Sequence, residues 1–399
     1  LAITEHVALA RQGAHAIARW RDKFLDRERL DLSGAFLSGA RLAGADLAND
    51  DLSRADLTRA DLRRADLSRT DLGDAHLWRS SLSRANLQNA RLPQASLGRA
   101  SLDGGCLREA DLRGADLSHA DLSYSDLTGA DLSGADLTQA NLSWADLTGA
   151  RLTHARLTAT QLDVANLTGV DLRRASLVRT RLERTLLADA MLDLTLFADC
   201  DLSQVLALES VRHAGPSILG LDSLARSRGL IPAQFLRLAG AAEPLIAIQP
   251  TLQDQLGPAS YSRVLLVSSV QDGAFAQRLA ADLRAAKFRC WPAPVDDEAA
   301  MRRDGSLLDR VAYYDRVAVV CSEPAMTSAH GARFLEQMMQ LPEGPAALIA
   351  LALDQYLYEG QSETCQGLRR GSVADFRGWS EDEAYQRGLA RLAQLLSAG

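Results

Sequence analysis

Lysine occurs only twice in this chain of 399 residues, at Lys23 and Lys287, and aromatic residues make up 5% of it. The positive charge is therefore almost all arginine, a bias that says more about codon usage than about function. Cysteine is also sparse. Cys106, Cys200, Cys290, Cys321 and Cys365 are scattered and odd in number. No spacing among them resembles a metal site, and they do not form a disulfide framework, so a reduced cytoplasmic setting is expected. No run of eighteen apolar residues occurs and no segment reads as a signal peptide, which argues against a membrane partner. What remains is a chain 47% hydrophobic with a net charge of −7, long enough for two or three domains.

The dominant positive feature is a rhythm of five. Every fifth residue from Leu32 to Leu202 is leucine, with Phe197 as the one exception, which makes 35 consecutive pentads. A period of five matches neither the 3.6 of a helix nor the 2.0 of a strand. It requires a solenoid in which each short repeat turns a corner and neighbouring turns share one core. The residue two before each leucine is small: of the 34 such positions from Ala35 to Cys200, 23 are alanine. Two inward positions per pentad, one large and one tiny, would fill a narrow prism in layers. Two places break the rhythm, Asp50 at a small inward position and Gly104-Gly105-Cys106, and a local bulge is expected at each.

The unit, clear in Ala55-Asp56-Leu57-Thr58-Arg59 and Ala135-Asp136-Leu137-Thr138-Gln139, resembles the pentapeptide-repeat family. The resemblance implies a right-handed quadrilateral β-helix over residues 31–202, with four pentads per coil and nearly nine coils. At sheet spacing that is a rod roughly 40 Å long. Some members of the family are acidic rods that imitate DNA. Here 25 acids are interleaved with 19 arginines between residues 31 and 202, so DNA mimicry is not expected, nor is direct binding of nucleic acid. Residues twenty apart should stack, giving Arg59, Arg79 and Arg99 as a column continued by His119. This is either an anion-binding interaction strip or a solvated surface of arginines paired to neighbouring aspartates.

Both ends of a solenoid need covers. Residues 4–27 read as one helix starting at Thr4-Glu5, with Val7, Ala10, Ala14, Ile17, Trp20 and Phe24 at helical spacing; residues 1–30 form an N-terminal helical cap in this reading. Residues 203–260 read as a helical cap and connector broken by Gly215-Pro216, Pro232 and Pro244. The stretches His213–Leu219 and Ile231–Arg237 are similar to the connector that precedes the last domain of some bacterial pentapeptide proteins.

From Arg263 the pattern becomes α/β. Val264–Ser268, Phe288–Trp291, Val317–Cys321 and residues 346–351 read as strands and 273–286 as an amphipathic helix, which points to a parallel sheet covered on both faces. Val264-Leu-Leu-Val-Ser-Ser-Val-Gln-Asp272, Phe275–Leu279, Arg289-Cys-Trp-Pro-Ala-Pro294, Asp315–Ser322 and Asp375-Phe-Arg-Gly-Trp379 together resemble a Toll/interleukin-1 receptor (TIR) domain over residues 261–399. That resemblance implies a flavodoxin-like α/β fold.

Many TIR domains cleave NAD at the glycosidic bond to nicotinamide, using a glutamate in the pattern Ser-x-Trp-x-x-x-Glu. This chain has Ser328-Ala-His-Gly-Ala-Arg-Phe334, with His330 at the tryptophan position and Phe334 at the glutamate position. Glu336 lies about 200° further round the helix. Asp296-Asp297-Glu298 stands where the loop usually continues Gly-Asp. The resemblance thus implies a degenerate nucleotide pocket near Ser269, Asp272, Trp291, Asp296, Ser328, His330 and Phe334, with Glu336 or the acids Asp296, Asp297 and Glu298 as the fallback catalytic carboxylate. The expected function is a non-catalytic signalling scaffold needing no cofactor and no metal, whose partners are other TIR domains or copies of itself. The alternative is an NAD-cleaving effector of bacterial immunity, with NAD as substrate and the β-helix as sensor or assembly platform.

Overall fold

The computed structural model describes residues 3–22, 29–251, 263–286, 288–295, 307, 311, 314–340 and 348–397. They fall into two compact units, Leu1–Gln253 and Asp254–Gly399.

In the first unit the period of five has a simple origin. The residue before each leucine makes a parallel bridge to the residue twenty further on, as in Asp31↔Asp51 and Asp111↔Asp131, so one coil has four sides of one pentad each. Within a pentad, a side of three residues alternates in, out, in: Ala55 buried, Asp56 outward, Leu57 buried. A two-residue corner follows, closed by the bond from Ala60 N to Leu57 O at 2.9 Å. Three strand residues plus two turn residues make five. The second corner residue has positive φ, as type II turns require, with Gly39 at 67° and Arg59 at 57°. Between coils, each leucine N–H donates to the carbonyl nineteen residues ahead, for example Leu72 N to Arg91 O at 2.6 Å.

The aspartates before the leucines are structural. Asp51 Oδ1 accepts from Ser53 N at 3.0 Å and from Ser53 Oγ at 2.7 Å, and the same arrangement recurs at Asp131, Asp136 and Asp146. Each side chain thus braces its own corner, as in an Asx turn. Every leucine of the rhythm is buried, and Phe197 takes the same place at 0% exposure. Where the small position carries a hydroxyl, it too is satisfied: Thr70 Oγ1 donates to Leu47 O at 2.7 Å and Thr160 Oγ1 to Leu137 O at 2.7 Å.

Neither expected bulge forms. The coil pattern runs unbroken through Gly104, Gly105 and Cys106, with Cys106 bridged to Asn86 and Asp126. A Cβ at Gly105 would lie 2.9 Å from Leu102 O, so glycine there keeps the path regular rather than breaking it. Asp50 is fully buried and closes the first coil: its Oδ1 accepts from Leu30 N at 2.8 Å and its Oδ2 from Arg21 Nη2 at 2.6 Å.

The N-terminal cover is two helices rather than one, α1 (Thr4–Arg11) and α2 (Ala14–Arg21). Gly13, at φ 93°, divides them, and a Cβ there would stand 2.8 Å from Arg41 O. Ile3, not Thr4, is the N-cap of α1, and residues 23–27 of the expected helix lie outside the described residues. The two helices reach all four sides of the first coil. Asp31 O accepts from Ile3 N at 3.3 Å, Phe36 O from Arg11 Nη2 at 3.2 Å, Arg41 O from Ala14 N at 3.3 Å, and Asp46 O from Arg21 Nη2 at 3.3 Å. His6 Nδ1 accepts from Asp31 N at 3.0 Å, while Ala10 and Ile17 join the prism core.

At the other end the strands β1 (Ser176–Val178), β2 (Met191–Leu192), β3 (Leu196–Ala198), β4 (Arg212–His213) and β5 (Ile218–Leu219) carry the last coils. Ser176 pairs with Leu196, twenty on, but Leu196 pairs with Ile218, twenty-two on. The extra residues end the rhythm. Helices α3 (Leu221–Arg226), α4 (Ala233–Leu238) and α5 (Glu243–Ala247) then close the prism, with Ile231, Phe235, Leu236 and Ile246 in its core. Ser223 Oγ and Ser227 Oγ accept from Cys200 N and Leu202 N at 3.1 and 2.9 Å, standing in for the next coil.

One pH effect follows from the first cap. Burial pushes the Asp50 carboxyl up from its ordinary 3.8 to about 6, against the bonds from Leu30 and Arg21 that favour the charge. The folded state therefore binds a proton more tightly than the unfolded chain, so stability from this group should rise as pH falls from above 6 to about 4. Two units correspond to about 3 kcal/mol. His213 is depressed by burial and the exposed His119 by partial loss of hydration and the neighbouring Arg99, and both act in the opposite sense as pH falls. The readout is therefore the difference from Asp50→Asn, which keeps the acceptor for Leu30 N. Thermal unfolding should favour the parent chain over that variant progressively from pH 7 to pH 4.5, and a pH-independent difference would refute the account.

The second unit is a five-stranded parallel sheet of β6 (Arg263–Ser268), β7 (Arg289–Pro294), β8 (Arg316–Cys321), β9 (Leu348–Ala352) and β10 (Ser372–Asp375), in the order β7-β6-β8-β9-β10. Alternation along β6 splits the core in two. Val264 and Leu266 pack with Phe275, Tyr385 and Leu392, from helices Gly273–Ala285 and Asp382–Ser397, whereas Leu265 and Val267 pack with Phe334, Leu335 and Met338 from helix Ala329–Met339. β7 carries Pro292 and Pro294 and is an edge strand, where proline is tolerated.

Candidate functional site

On the outside of the β-helix some arginines pair with aspartates, and Arg108 and Arg181 do so across coils, with Asp126 at 3.0 Å and Asp163 at 2.9 Å. Arg63, Arg113 and Arg173 each grip the aspartate two residues before them, at 2.7 Å. These pairs are exposed, and such surface pairs contribute little to stability. The column Arg59, Arg79, Arg99 and His119 is exposed and stacked coil on coil. The Arg79 guanidinium lies 4.3 Å from the ring centroid of Trp78 and that of Arg59 6.0 Å away, a cation–π arrangement. None of the three arginines ends in an ion pair among the described residues. A second exposed cluster follows the same interval of twenty but carries no charge to single it out: Tyr124 and Trp144 stack with ring centroids 6.0 Å apart and an interplanar angle of 11°. The signal for it was an aromatic at corner positions held most often by glycine or arginine and elsewhere mainly by other polar residues.

In the second unit, the strand order turns outward in opposite directions from β6 and β8, and ligands of open parallel sheets sit beyond the carboxyl ends of the strands at such a point. The loops there are joined: Ser322 Oγ donates to Asp272 Oδ2 at 2.5 Å and accepts from Ala325 N at 3.2 Å. Ser269 is buried and accepts from Gln271 N at 3.1 Å. Beside them Val267, Ser268, Val319, Ala325, Gly331 and Phe334 border a hollow of about 10 Å³, room for about one water molecule and far below the roughly 300–1,000 Å³ of ordinary ligand sites. No ionisable side chain lines it among the described residues.

The structure gathers only some of the residues expected at a nucleotide pocket. Ser269 and Asp272 lie at the crest, and Phe334 walls the hollow at 5% exposure. Ser328 caps the following helix through Gly331 N at 3.0 Å. His330 and Glu336 are exposed, Glu336 on the side of the helix away from buried Phe334 and Leu335. Trp291 lies on the edge strand, 41% exposed and edge-on to Tyr314 at 5.7 Å. Asp296, Asp297 and Glu298 are outside the described residues. Ser322, which joins the two loops, ends a strand motif in the sequence with nothing to mark its role.

Burial raises the Cys200, Cys290 and Cys321 thiols to about 12, which leaves them protonated and unreactive. Among the described residues no group of three or more His, Cys, Asp or Glu could hold a metal ion, and no helix is long and apolar enough to cross a membrane.

Comparison with known proteins bears on the first unit. The family model for pentapeptide repeats matches in eight copies, the first at residues 28–59 and the last at 165–204. Among solved structures, HetL, a pentapeptide repeat protein involved in heterocyst differentiation regulation from the cyanobacterium Nostoc sp. strain PCC 7120, is 35% identical. The match covers 46% of this chain and 89% of HetL, with a TM-score of 0.23. A pentapeptide repeat protein of the Arabidopsis thaliana thylakoid lumen is 31% identical over 33% of this chain and 68% of its own, with a TM-score of 0.12. A trypsin-treated form of QnrB1, a plasmid-mediated fluoroquinolone resistance protein, is 19% identical over 50% of this chain and 93% of its own, with a TM-score of 0.40. No curated protein matches the chain. The coils of four five-residue sides and the eight repeat matches identify residues 28–204 of this chain as a pentapeptide-repeat β-helix.

Proposed function

We propose that the chain is a non-catalytic scaffold in which the β-helix carries a degenerate TIR domain that associates with other TIR domains or with copies of itself. The strand order of the second unit, second-first-third-fourth-fifth in its own numbering, is that of flavodoxin-like doubly wound sheets and supports the TIR reading. The observation that carries the absence of catalysis is Phe334. A carboxylate is needed where positive charge develops on the ribose, and the position that the TIR pattern gives to glutamate is a buried phenylalanine against Val267 and Val319. Glu336, the nearest acid on that helix, is exposed on another side.

The test is direct. Purified full-length protein incubated at high concentration with NAD should release no nicotinamide above the protein-free rate. Losing a preorganised carboxylate typically removes roughly two to three orders of magnitude in rate. Robust release by the unmodified protein, abolished by Glu336→Ala, would overturn the scaffold reading in favour of an NAD-cleaving effector.

A further inference from the structure

The second residue of each corner is the outermost point of its pentad, and corners twenty residues apart stack into four ridges. One ridge carries Arg64, Arg84, Gly104, Tyr124 and Trp144 in consecutive coils. Tyr124 and Trp144 are 66% and 55% exposed and stack on each other. Both hold positive φ, 57° and 64°, a conformation that glycine enters freely and bulky residues only at a cost. Neither side chain belongs to the prism core, so burial in that core does not offset the strain. Arg64 and Arg84 are exposed, and unlike Arg63, held by Asp61 at 2.7 Å, neither ends in an ion pair among the described residues.

The geometry points to a docking surface for a second copy of this chain, formed by this ridge and centred on Gly104. The order along the ridge is self-complementary. A two-fold axis beside Gly104 sets Arg84 of one copy level with Tyr124 of the other, and Arg64 level with Trp144, in an isologous contact. With about 4.8 Å between coils, four guanidinium–ring pairs would form along roughly 19 Å. Gly104 is exposed and has no side chain, and the only atom near the place of a missing Cβ is Cγ of Arg84, at 3.5 Å. The two ridges can therefore approach closely at the axis.

Charge favours the same pairing. On the two sides that meet at this ridge, the aromatic half holds Asp121, Asp126 and Asp146 and no arginine. The cationic half holds Arg63, Arg64 and Arg84 against Asp61 and Asp66. The antiparallel arrangement lays each acidic segment on the arginine-rich one. By the same operation the ridge of Arg59, Arg79 and Arg99 would set arginine against arginine, so it has no such self-complementarity.

Sedimentation of the full chain from about 1 to about 300 μM should show a reversible dimer. Trp144→Arg puts arginine opposite arginine and should weaken dimerisation at least about tenfold. The fold should survive, because arginine is the commonest non-glycine residue at these corners, and an unchanged melting temperature checks this. Combining Trp144→Arg with Arg64→Trp exchanges the partners on each ridge and should restore association to within about threefold of the parent. A parent chain that stays monomeric throughout, a Trp144→Arg variant that dimerises as tightly as the parent, or a double exchange that fails to restore it would each overturn the ridge. The ridge lies wholly within the β-helix and does not depend on the TIR reading. Association that survives Trp144→Arg would be assigned to another surface, and the NAD measurement is unaffected by either result.

Discussion

A chain lacking residues 1–27 should be recovered as aggregate that the full chain does not form, and its soluble fraction should melt well below the parent. The cause is the number of groups that α1 and α2 serve at once. They supply a donor to the outward carbonyl on each of the four sides of the first coil, at Asp31, Phe36, Arg41 and Asp46. They also cover the end of the prism with Ala10 and Ile17, and bring Arg21 to the buried Asp50 carboxylate. Without them, four strand edges and the leucines of the first coil face water together. Each large apolar side chain uncovered costs about 1.5–3 kcal/mol, and an open edge is a template for pairing with another chain. Asp50 without Arg21 is also a buried charge lacking its partner, which costs more than the pair contributed. Light scattering and calorimetry of the truncated chain decide the matter. A monodisperse monomer with the parent's melting temperature would mean that the helices serve some purpose other than capping.

How much of this was legible in the sequence differs sharply between the units. The prism is written in the sequence because its information is local and redundant. Each side is only three residues long, each corner repeats the same turn, and one wrong guess at Asp50 or Gly105 changes nothing around it. At Asp50 the expected bulge does not form, for a physical reason. An aspartate at a small inward position reads as a defect unless its partners are known, and those partners, Leu30 N and Arg21, come from outside the repeat. The N-terminal helices show the same limit. Their apolar spacing reads as one helix through Gly13, because nothing in the spacing shows that Arg41 O lies where a side chain would stand.

The ridges were only half legible. Stacking at intervals of twenty follows from the repeat and places Arg59, Arg79 and Arg99 in one column, but charge does not single out the aromatic pair Tyr124 and Trp144 that the same interval stacks. In the second unit, continuous apolar runs gave β6, β8 and β9 because strands buried on both faces need no alternation. The site did not follow in the same way. Ser322 and Asp272 are fifty residues apart, and only the parallel pairing of β6 with β8 brings their loops together.

Phe334→Glu should destabilise the second unit by roughly 3–5 kcal/mol at pH 7 and should not create NAD cleavage. The position is 5% exposed and surrounded by Val267, Val319, Leu335 and Met338. A carboxylate there would lose its hydration without gaining a cation, because no ionisable side chain lines the hollow among the described residues. The new carboxyl would respond by taking up a proton. Its folded pKa would lie above that of the unfolded chain, so stability is recovered as pH falls through the folded value towards the ordinary carboxylate range and is lost as pH rises. Chemical denaturation at pH 5 and pH 7 should therefore show a smaller deficit at the lower pH, while Phe334→Leu, which keeps the position apolar, should show a smaller deficit that does not change with pH. A glutamate variant as stable as the parent at pH 7 would mean that position 334 reaches water or a cation. Nicotinamide release by that variant would show that the hollow opens to a nucleotide, and that a single side chain separates this unit from an enzyme.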